Sequence, residues 1–384
     1  MKRWNILFYQ NNHRMEKAFL AALQQVSDAK EFSCPLRDEA ECRSVLPLIL
    51  QLIQEQQAEL LFSFEYLPTL SEACNRAGIL YFSYLCEVPT LAPFAEQLQN
   101  ACNVFLVADT ALGAELQAAG AENVFYLPMA PMAAMLPEQR RQAAAAEFPA
   151  ISFVGELYQD NMYKYFAKLP DTLRGYLDGV MAAQSQVYGL NFFEKLISEE
   201  FWNTLSTVLQ LKQQGNEKEK CRYMIENFFF VPQVTHLERK RIVKALAGTF
   251  GERFCLYAKE KLTEAEQVQQ KDPYVGRRLT ELYRNTLNVN VTDRANKNGI
   301  SAQVWDILAS GGLLFSNYQQ DLVEMFVPGQ EFILYESEVD LLEKLEYYLA
   351  HPEEGRQIAQ SAQQKVLTGH TWEHRVQEML SLLG

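Results

Sequence analysis

Leu287-Asn288-Val289-Asn290-Val291-Thr292, the polar run Asp293 to Asn298, and Gly299-Ile300-Ser301-Ala302-Gln303-Val304-Trp305-Asp306-Ile307-Leu308-Ala309-Ser310-Gly311-Gly312 form one continuous stretch. Its first segment predicts a strand over Leu287 to Val291, and its last predicts a helix over Ser301 to Ser310. A strand, a polar loop and a helix in that order make the repeating unit of a parallel sheet covered by helices. The helix opens on a glycine and a serine. Free backbone N–H groups at such a tip, aided by the positive end of the helix dipole, can hold a pyrophosphate, with Arg294 and Lys297 adding charge. Asp306, about one turn in, can accept two hydrogen bonds from vicinal hydroxyls such as those of a ribose. The same residues also read as an ordinary helix, with Ser301 as its cap, Gly311-Gly312 as its end and Asp306 in solvent. The pattern leaves both readings open.

The alternation continues on either side. Upstream lie a strand at Arg253 to Tyr257 and a helix at Gly276 to Arg284. Downstream come strands at Leu313 to Ser316 and Glu331 to Tyr335, then helices at Glu338 to Ala350, Pro352 to Thr368 and Thr371 to Leu383. The first strand of this half is Ile151 to Val154, followed by Gly155 and a helical insertion, about 160–248. Thr235-His236-Leu237-Glu238 before an apolar-periodic run has the form of a capping box and predicts a helix start there.

The N-terminal half repeats the theme. Strands are predicted at Trp4 to Tyr9, Glu59 to Phe64, Ile79 to Leu85, Asn103 to Val107 and Asn123 to Leu127. Helices are predicted at Arg14 to Gln25, Ser44 to Gln56, Thr69 to Ala77, Ala92 to Asn100 and Thr110 to Ala119. Two of them end in glycine, at Ala77-Gly78-Ile79 and Ala119-Gly120-Ala121. The fold class is therefore α/β with two Rossmann-like, doubly wound domains. They are expected at 1–130 and 151–368, joined by a proline-bracketed linker at 131–150, with a C-terminal helix, 369–384, that crosses back.

Composition narrows the function. The 384 residues carry 35 basic and 48 acidic side chains, a formal net charge of −13, and such a surface repels nucleic-acid phosphates. The longest apolar runs, Val45 to Ile53 and Leu60 to Phe64, fall well short of the ~20 residues a membrane helix needs. The opening Met1-Lys2-Arg3-Trp4-Asn5 lacks the form of a signal peptide, so a cytoplasmic protein is expected. Seven cysteines without a Cys-x-x-Cys pair read as free, packed thiols. Neither half carries G-x-G-x-x-G or G-x-x-x-x-G-K-[ST], which disfavours nicotinamide and ATP-hydrolysis readings. His370 and His374 lack a third metal ligand, and Thr371 between them reads as a helix start. Arg239-Lys240-Arg241 reads as a solvated helix face, with contact to a membrane surface or an acidic acceptor as the other reading.

These residues also carry a resemblance. Phe153-Val154-Gly155-Glu156-Leu157-Tyr158, Leu173-Arg174-Gly175-Tyr176-Leu177, Val187-Tyr188-Gly189, Trp305-Asp306-Ile307-Leu308 and Phe315-Ser316-Asn317-Tyr318 form one part of it. Leu256-Tyr257, Leu287-Asn288-Val289-Asn290, Gln319-Gln320-Asp321-Leu322, Tyr347-Tyr348-Leu349, His370-Thr371-Trp372-Glu373-His374-Arg375, Ile79 to Tyr84 leading to Glu87-Val88-Pro89, and Tyr126-Leu127-Pro128-Met129-Ala130 belong to it as well. Together they resemble a GT-B glycosyltransferase of the CgeB-like, spore-maturation type, over nearly the whole chain. The resemblance implies two domains facing a cleft and transfer of a sugar from a nucleotide-sugar donor, a UDP-sugar being expected, to a protein or cell-surface glycan. It places the donor on the C-terminal domain and the acceptor on the N-terminal one. It implies Gly155 in the turn facing the donor, Tyr257 near the base, and Asn288 and Asn290 at the pocket floor. Gly299, Ile300 and Ser301 would face the diphosphate, with Gln303 on the phosphate side, and Asp306 the ribose. Two positions depart from the pattern. Asn298 stands where the E-x7-E arrangement of family 4 transferases has its first acidic group, and Gln303 where relatives often carry Arg.

The other common transferase architecture binds its donor through a metal held by a D-x-D pair. None of the eleven aspartates here has another two positions away, so no metal or other cofactor is expected. For a catalytic base the strand-end candidates are His13, Glu65, Glu87 and Asp109. Glu87 is the first choice, on the resemblance at Glu87-Val88-Pro89, and His13 the second. A non-catalytic nucleotide-sugar-binding partner of an active transferase and a sugar-nucleotide epimerase are the alternative functions.

Overall fold

In the computed structural model, the described residues are 2–36, 39–132, 148, 150–190, 192–211, 214–260, 269–271 and 277–383. Most of the expected linker, and Gly276 at the head of one expected helix, lie outside them. The chain divides into two compact units, Met1–Ala133 with Gly369–Gly384, and Ala134–Thr368.

The first unit is a six-stranded parallel sheet: β1 (Asn5–Tyr9), β2 (Asp28–Phe32), β3 (Leu60–Phe64), β4 (Leu80–Leu85), β5 (Asn103–Val107) and β6 (Val124–Tyr126), in the order β2-β1-β3-β4-β5-β6. Its connecting helices are α1 (Glu16–Val26), α2 (Glu39–Glu55), α3 (Pro68–Ala77) and α4 (Thr110–Ala118). The central strands are buried on both faces, so they read as continuous apolar runs rather than alternating ones. Register brings Phe8, Phe62 and Phe82 side by side across β1, β3 and β4, and Phe19 of α1 stacks on Phe62 with ring centroids 4.6 Å apart.

One expectation fails in this unit, and one strand has no counterpart among those predicted. Ala92 to Asn100 is not one helix but two 3-10 turns, Ala92–Phe94 and Glu96–Gln99. Ala95, extended at φ −78° and ψ 135° between the turns, breaks the helical ladder. Strand β2 was not foreseen, because Asp28-Ala29-Lys30-Glu31 lies on a largely exposed edge and carries no apolar period.

The second unit repeats the architecture with β7 (Ala150–Val154), β8 (Phe254–Tyr257), β9 (Gln269–Lys271), β10 (Thr286–Asn290), β11 (Leu313–Asn317) and β12 (Ile333–Tyr335), ordered β12-β11-β10-β7-β8-β9 and parallel throughout. The insertion between β7 and β8 holds α5 (Asp171–Gln184), α6 (Phe193–Leu196), α7 (Glu199–Val208), α8 (Gly215–Ile225) and α9 (Val231–Phe250). A π-turn at Glu226–Phe230 joins α8 to α9. Thr235 therefore lies inside a helix and not at its start. Its hydroxyl bonds back to Val231 O, and the wide turn absorbs Pro232, which lacks an N–H.

After these come α10 (Arg277–Asn285), α11 (Ala302–Ser310), α12 (Gln320–Met325), α13 (Glu338–Ala350) and α14 (Pro352–Gly369). Helix α11 ends at Gly311, which is left-handed at φ +73°. At Gly312 a Cβ would sit 2.5 Å from the backbone oxygen of Tyr283, so only glycine lets α10 and β11 approach as they do.

The closing helix, α15 (Trp372–Ser381), belongs to the first unit, where Trp372 packs edge-on against Phe19 of α1. Thr371 is its N-cap. His374 Nδ1 bonds Thr371, while His370 Nδ1 accepts from Arg375, so both rings serve the helix start. All seven cysteines are free; Cys74, Cys102 and Cys255 are buried and the other four half-buried. No helix of the described residues is long and apolar enough to cross a membrane.

Candidate functional site

Ligands of doubly wound sheets bind beyond the carboxyl ends of the strands, where the strand order reverses. That point lies between β7 and β10 in the second unit and between β1 and β3 in the first.

In the second unit, β7 ends in Gly155 at φ +149°, a conformation that side-chain-bearing residues rarely adopt. Its N–H donates to Tyr257 O at 3.0 Å, which joins this turn to the end of β8. Tyr257 itself is buried. The facing loop after β10 is held by Arg239, which is 9% exposed. Its Nε and Nη2 donate to Val291 O at 3.1 and 2.8 Å, and Nη1 to Glu156 O at 2.6 Å. The solvated-face reading is thus wrong for Arg239, which clamps the two switch-point loops together. Tyr158 closes the same junction by donating to Asp293.

Arg294 is not a free cation either. Its Nε lies 2.6 Å from Glu238 Oε2, and its Nη1 donates to Val187 O in the insertion. Glu238 is fully buried, and desolvation raises its carboxyl above the usual range even with Arg294 beside it. Glu238 was expected in a capping box, whereas its carboxylate pairs with a residue 56 positions away.

Helix α11 starts next to Gly155, because Gln303 Nε2 donates to Val154 O at 2.8 Å. Gly299 and Ile300 are buried, and Ser301 stands at the N-cap without capping: its side chain bonds no helix N–H, and its Oγ meets no partner among the described residues. Val304 N–H donates to Ser301 O at 3.0 Å, whereas the N–H groups of Ala302 and Gln303 at the first turn lack the usual side-chain cap. Asp306 is 8% exposed, not in solvent as the plain-helix reading has it. Asn290 donates to Thr292 Oγ1 and Ser316 Oγ, bracing the ends of β10 and β11. Asn288 lies deeper, its amide bonded to the carbonyls of Tyr283, Thr286 and Leu313.

In the first unit the switch point gathers His13, Glu65 and Glu87. The His13 ring stacks on Phe64, centroids 4.4 Å apart, and its Nδ1 accepts the Met15 N–H. A neutral ring so held carries its proton on Nε2, which lies 3.4 Å from Glu87 Oε1. Glu87 is largely exposed, and the His13 ring beside it holds its carboxyl below the usual carboxylate range. Behind it, Glu65 adopts φ +57°, and its Oε1 accepts the N–H groups of Cys86 and Glu87 at 2.9 Å each. Glu65 as a residue is half-buried, but its carboxyl is enclosed, and desolvation raises its pKa to about 8 against the two hydrogen bonds. Asp109 is spent as the cap of α4, accepting from Ala111 and Leu112. Among the described residues no group of three or more His, Cys, Asp or Glu is placed to hold a metal.

Comparison with known proteins places this geometry. Residues 238–381 match a family model described as glycosyl transferase-like. No curated protein matches the sequence. A solved glycosyltransferase from Rickettsia africae is similar in structure, with a TM-score of 0.54 at 10% identity over 100% of this chain and 98% of that one. Alr3699/HepE from Anabaena, solved in complex with UDP and glucose, has a TM-score of 0.51 at 11% identity over 99% of both chains. The fold, two parallel six-stranded α/β units, is GT-B.

Proposed function

We propose that this chain is a glycosyltransferase of the CgeB-like kind, acting in the cytoplasm without a metal. It moves a sugar from a nucleotide-sugar donor, a UDP-sugar, to a hydroxyl of a protein or cell-surface glycan. The uncapped start of α11 carries the proposal: its amides lie at the sheet's switch point, within the residues that match the transferase-like model. Gly299, Ile300 and Ser301 hold the diphosphate, with Tyr257 at the base and Asp306 at the ribose. Gly155 gives the donor room. Gln303, Asn288 and Asn290 brace the pocket from within, since their amides are bonded to the protein. Arg239 and Arg294 are likewise engaged, so helix amides rather than free guanidinium groups balance the diphosphate.

In the transfer, the acceptor oxygen bonds to the anomeric carbon as that carbon's bond to the diphosphate oxygen breaks. The electron pair leaves with the nucleoside diphosphate. The acceptor's proton passes to Glu87, whose neighbour His13 orients the carboxylate.

Ser301→Asp tests the donor site. Aspartate is a good N-cap and favours the helix dipole, so the variant should melt no lower than the native protein. Its carboxylate would occupy the place of the diphosphate, and UDP affinity should fall at least tenfold. Thermal shift with UDP-, GDP-, CMP- and dTDP-sugars reads both quantities. A site saturated at 100 times Kd adds about 2.7 kcal/mol of apparent stability. If no nucleotide shifts the native protein, or if Ser301→Asp binds UDP as tightly, the donor site lies elsewhere. Glu87→Gln should lower UDP release from the active donor about a hundredfold while leaving the nucleotide shift intact. Binding without turnover by the native protein for every donor would favour the non-catalytic partner instead.

A further inference from the structure

The loops that follow β1, β2 and β3 border an open pocket of about 520 Å³, lined in part by Asn12, Ser33, Pro35, Leu36 and Leu67. None of the described residues that line it carries an ionised side chain. Most of its polar groups are already used. Tyr9 donates to Cys34 O, Gln10 to the Glu31 carboxylate, and Asn11 to Phe64 O. Asn12 and Ser33 differ: both are exposed, and neither side chain bonds any described residue. Asn12 is also left-handed, at φ +64°. The pocket wall and His13 share one turn, because Asn11 Oδ1 accepts the His13 N–H at 3.3 Å.

A carboxamide offers two donors and an acceptor, and a hydroxyl offers both roles. Set against an apolar wall of Pro35, Leu36 and Leu67, they match a molecule with hydroxyls on its rim and C–H groups on its face. The described lining offers a charged ligand no counter-charge. We infer that this pocket is an acceptor subsite for an uncharged sugar ring, read through its hydroxyls by Asn12 and Ser33. The inference rests on the transfer reading for its purpose, but the binding itself does not.

Saturation-transfer NMR on the full chain, with methyl glucoside, glucuronic acid and glucosamine as probes, tests it. The neutral glycoside should give the strongest transfer. Asn12→Gly keeps the left-handed backbone, so the pair Asn12→Gly with Ser33→Ala should fold. Losing two ordinary hydrogen bonds should weaken methyl glucoside binding about tenfold. Preference for glucuronic acid or glucosamine, or undiminished binding by the double variant, would overturn the assignment. A UDP thermal shift on the same samples separates the two claims. Neutral-sugar binding lost in the double variant with the UDP shift retained supports the subsite. The same loss in the double variant, alongside a native protein that UDP does not stabilise, removes the donor reading and leaves the pocket as a neutral-sugar site.

Discussion

Glu238→Ala should lower the unfolding free energy by about 3–5 kcal/mol, the cost of leaving a buried charge without its partner. The carboxylate is wholly enclosed, and Arg294 lies 2.6 Å away with its side chain 13% exposed. Removing the acid strands the guanidinium against the aromatic ring of Tyr188, 4.9 Å below it. The pair itself brings little net gain, since desolvation holds the Glu238 carboxyl above its usual range despite the cation. Replacing both partners, Glu238→Met with Arg294→Met, should therefore recover most of the loss. Urea denaturation of the three proteins checks this. A double variant no more stable than Glu238→Ala would mean that the damage comes from lost packing rather than from an unpaired charge.

Glu65→Gln should abolish a steep pH dependence of stability. In the folded state the Glu65 carboxyl keeps its proton up to about pH 8, whereas in the unfolded chain it ionises near the ordinary value of 4.5. Across that window the folded state binds more protons than the unfolded one, so stability falls as pH rises and levels off above about 8. At 1.36 kcal/mol per unit the whole fall amounts to roughly 5 kcal/mol. Glutamine fixes the neutral form and still offers an oxygen to the Cys86 and Glu87 N–H groups. The variant and the native protein should match near pH 4.5, and the variant should be the more stable at pH 8.5. Parallel profiles would show that Glu65 titrates as an ordinary carboxyl. Because Glu65 holds the backbone of Glu87, the same titration acts on the residue proposed as base.

Much of the first layer was legible. Strands β3, β5, β10 and β11 were read to within a residue or so, because a strand buried on both faces is an uninterrupted apolar run. Edge strands β2 and β9 escaped, since Asp28-Ala29-Lys30 and Gln269-Gln270-Lys271 are held by backbone pairing to one neighbour and need no apolar side chains. The strand-end acids of the first unit could be named, but not their roles. Asp109 caps a helix, Glu65 is enclosed, and Glu87 meets a histidine 74 positions earlier.

Two parallel α/β units were determined by the chain's own periodicity, as were the glycines that close helices and a helix tip rich in free amides. Those features are local: a few residues settle backbone conformation and burial by themselves. What Thr235, Glu238, Arg239 and Arg294 do was decided only by tertiary structure. A helix start, a solvated face and a spare cation all turned out to be parts of one buried brace. A polar side chain taken out of water must find its partner in space, and sequence distance says nothing about which partner comes within 3 Å.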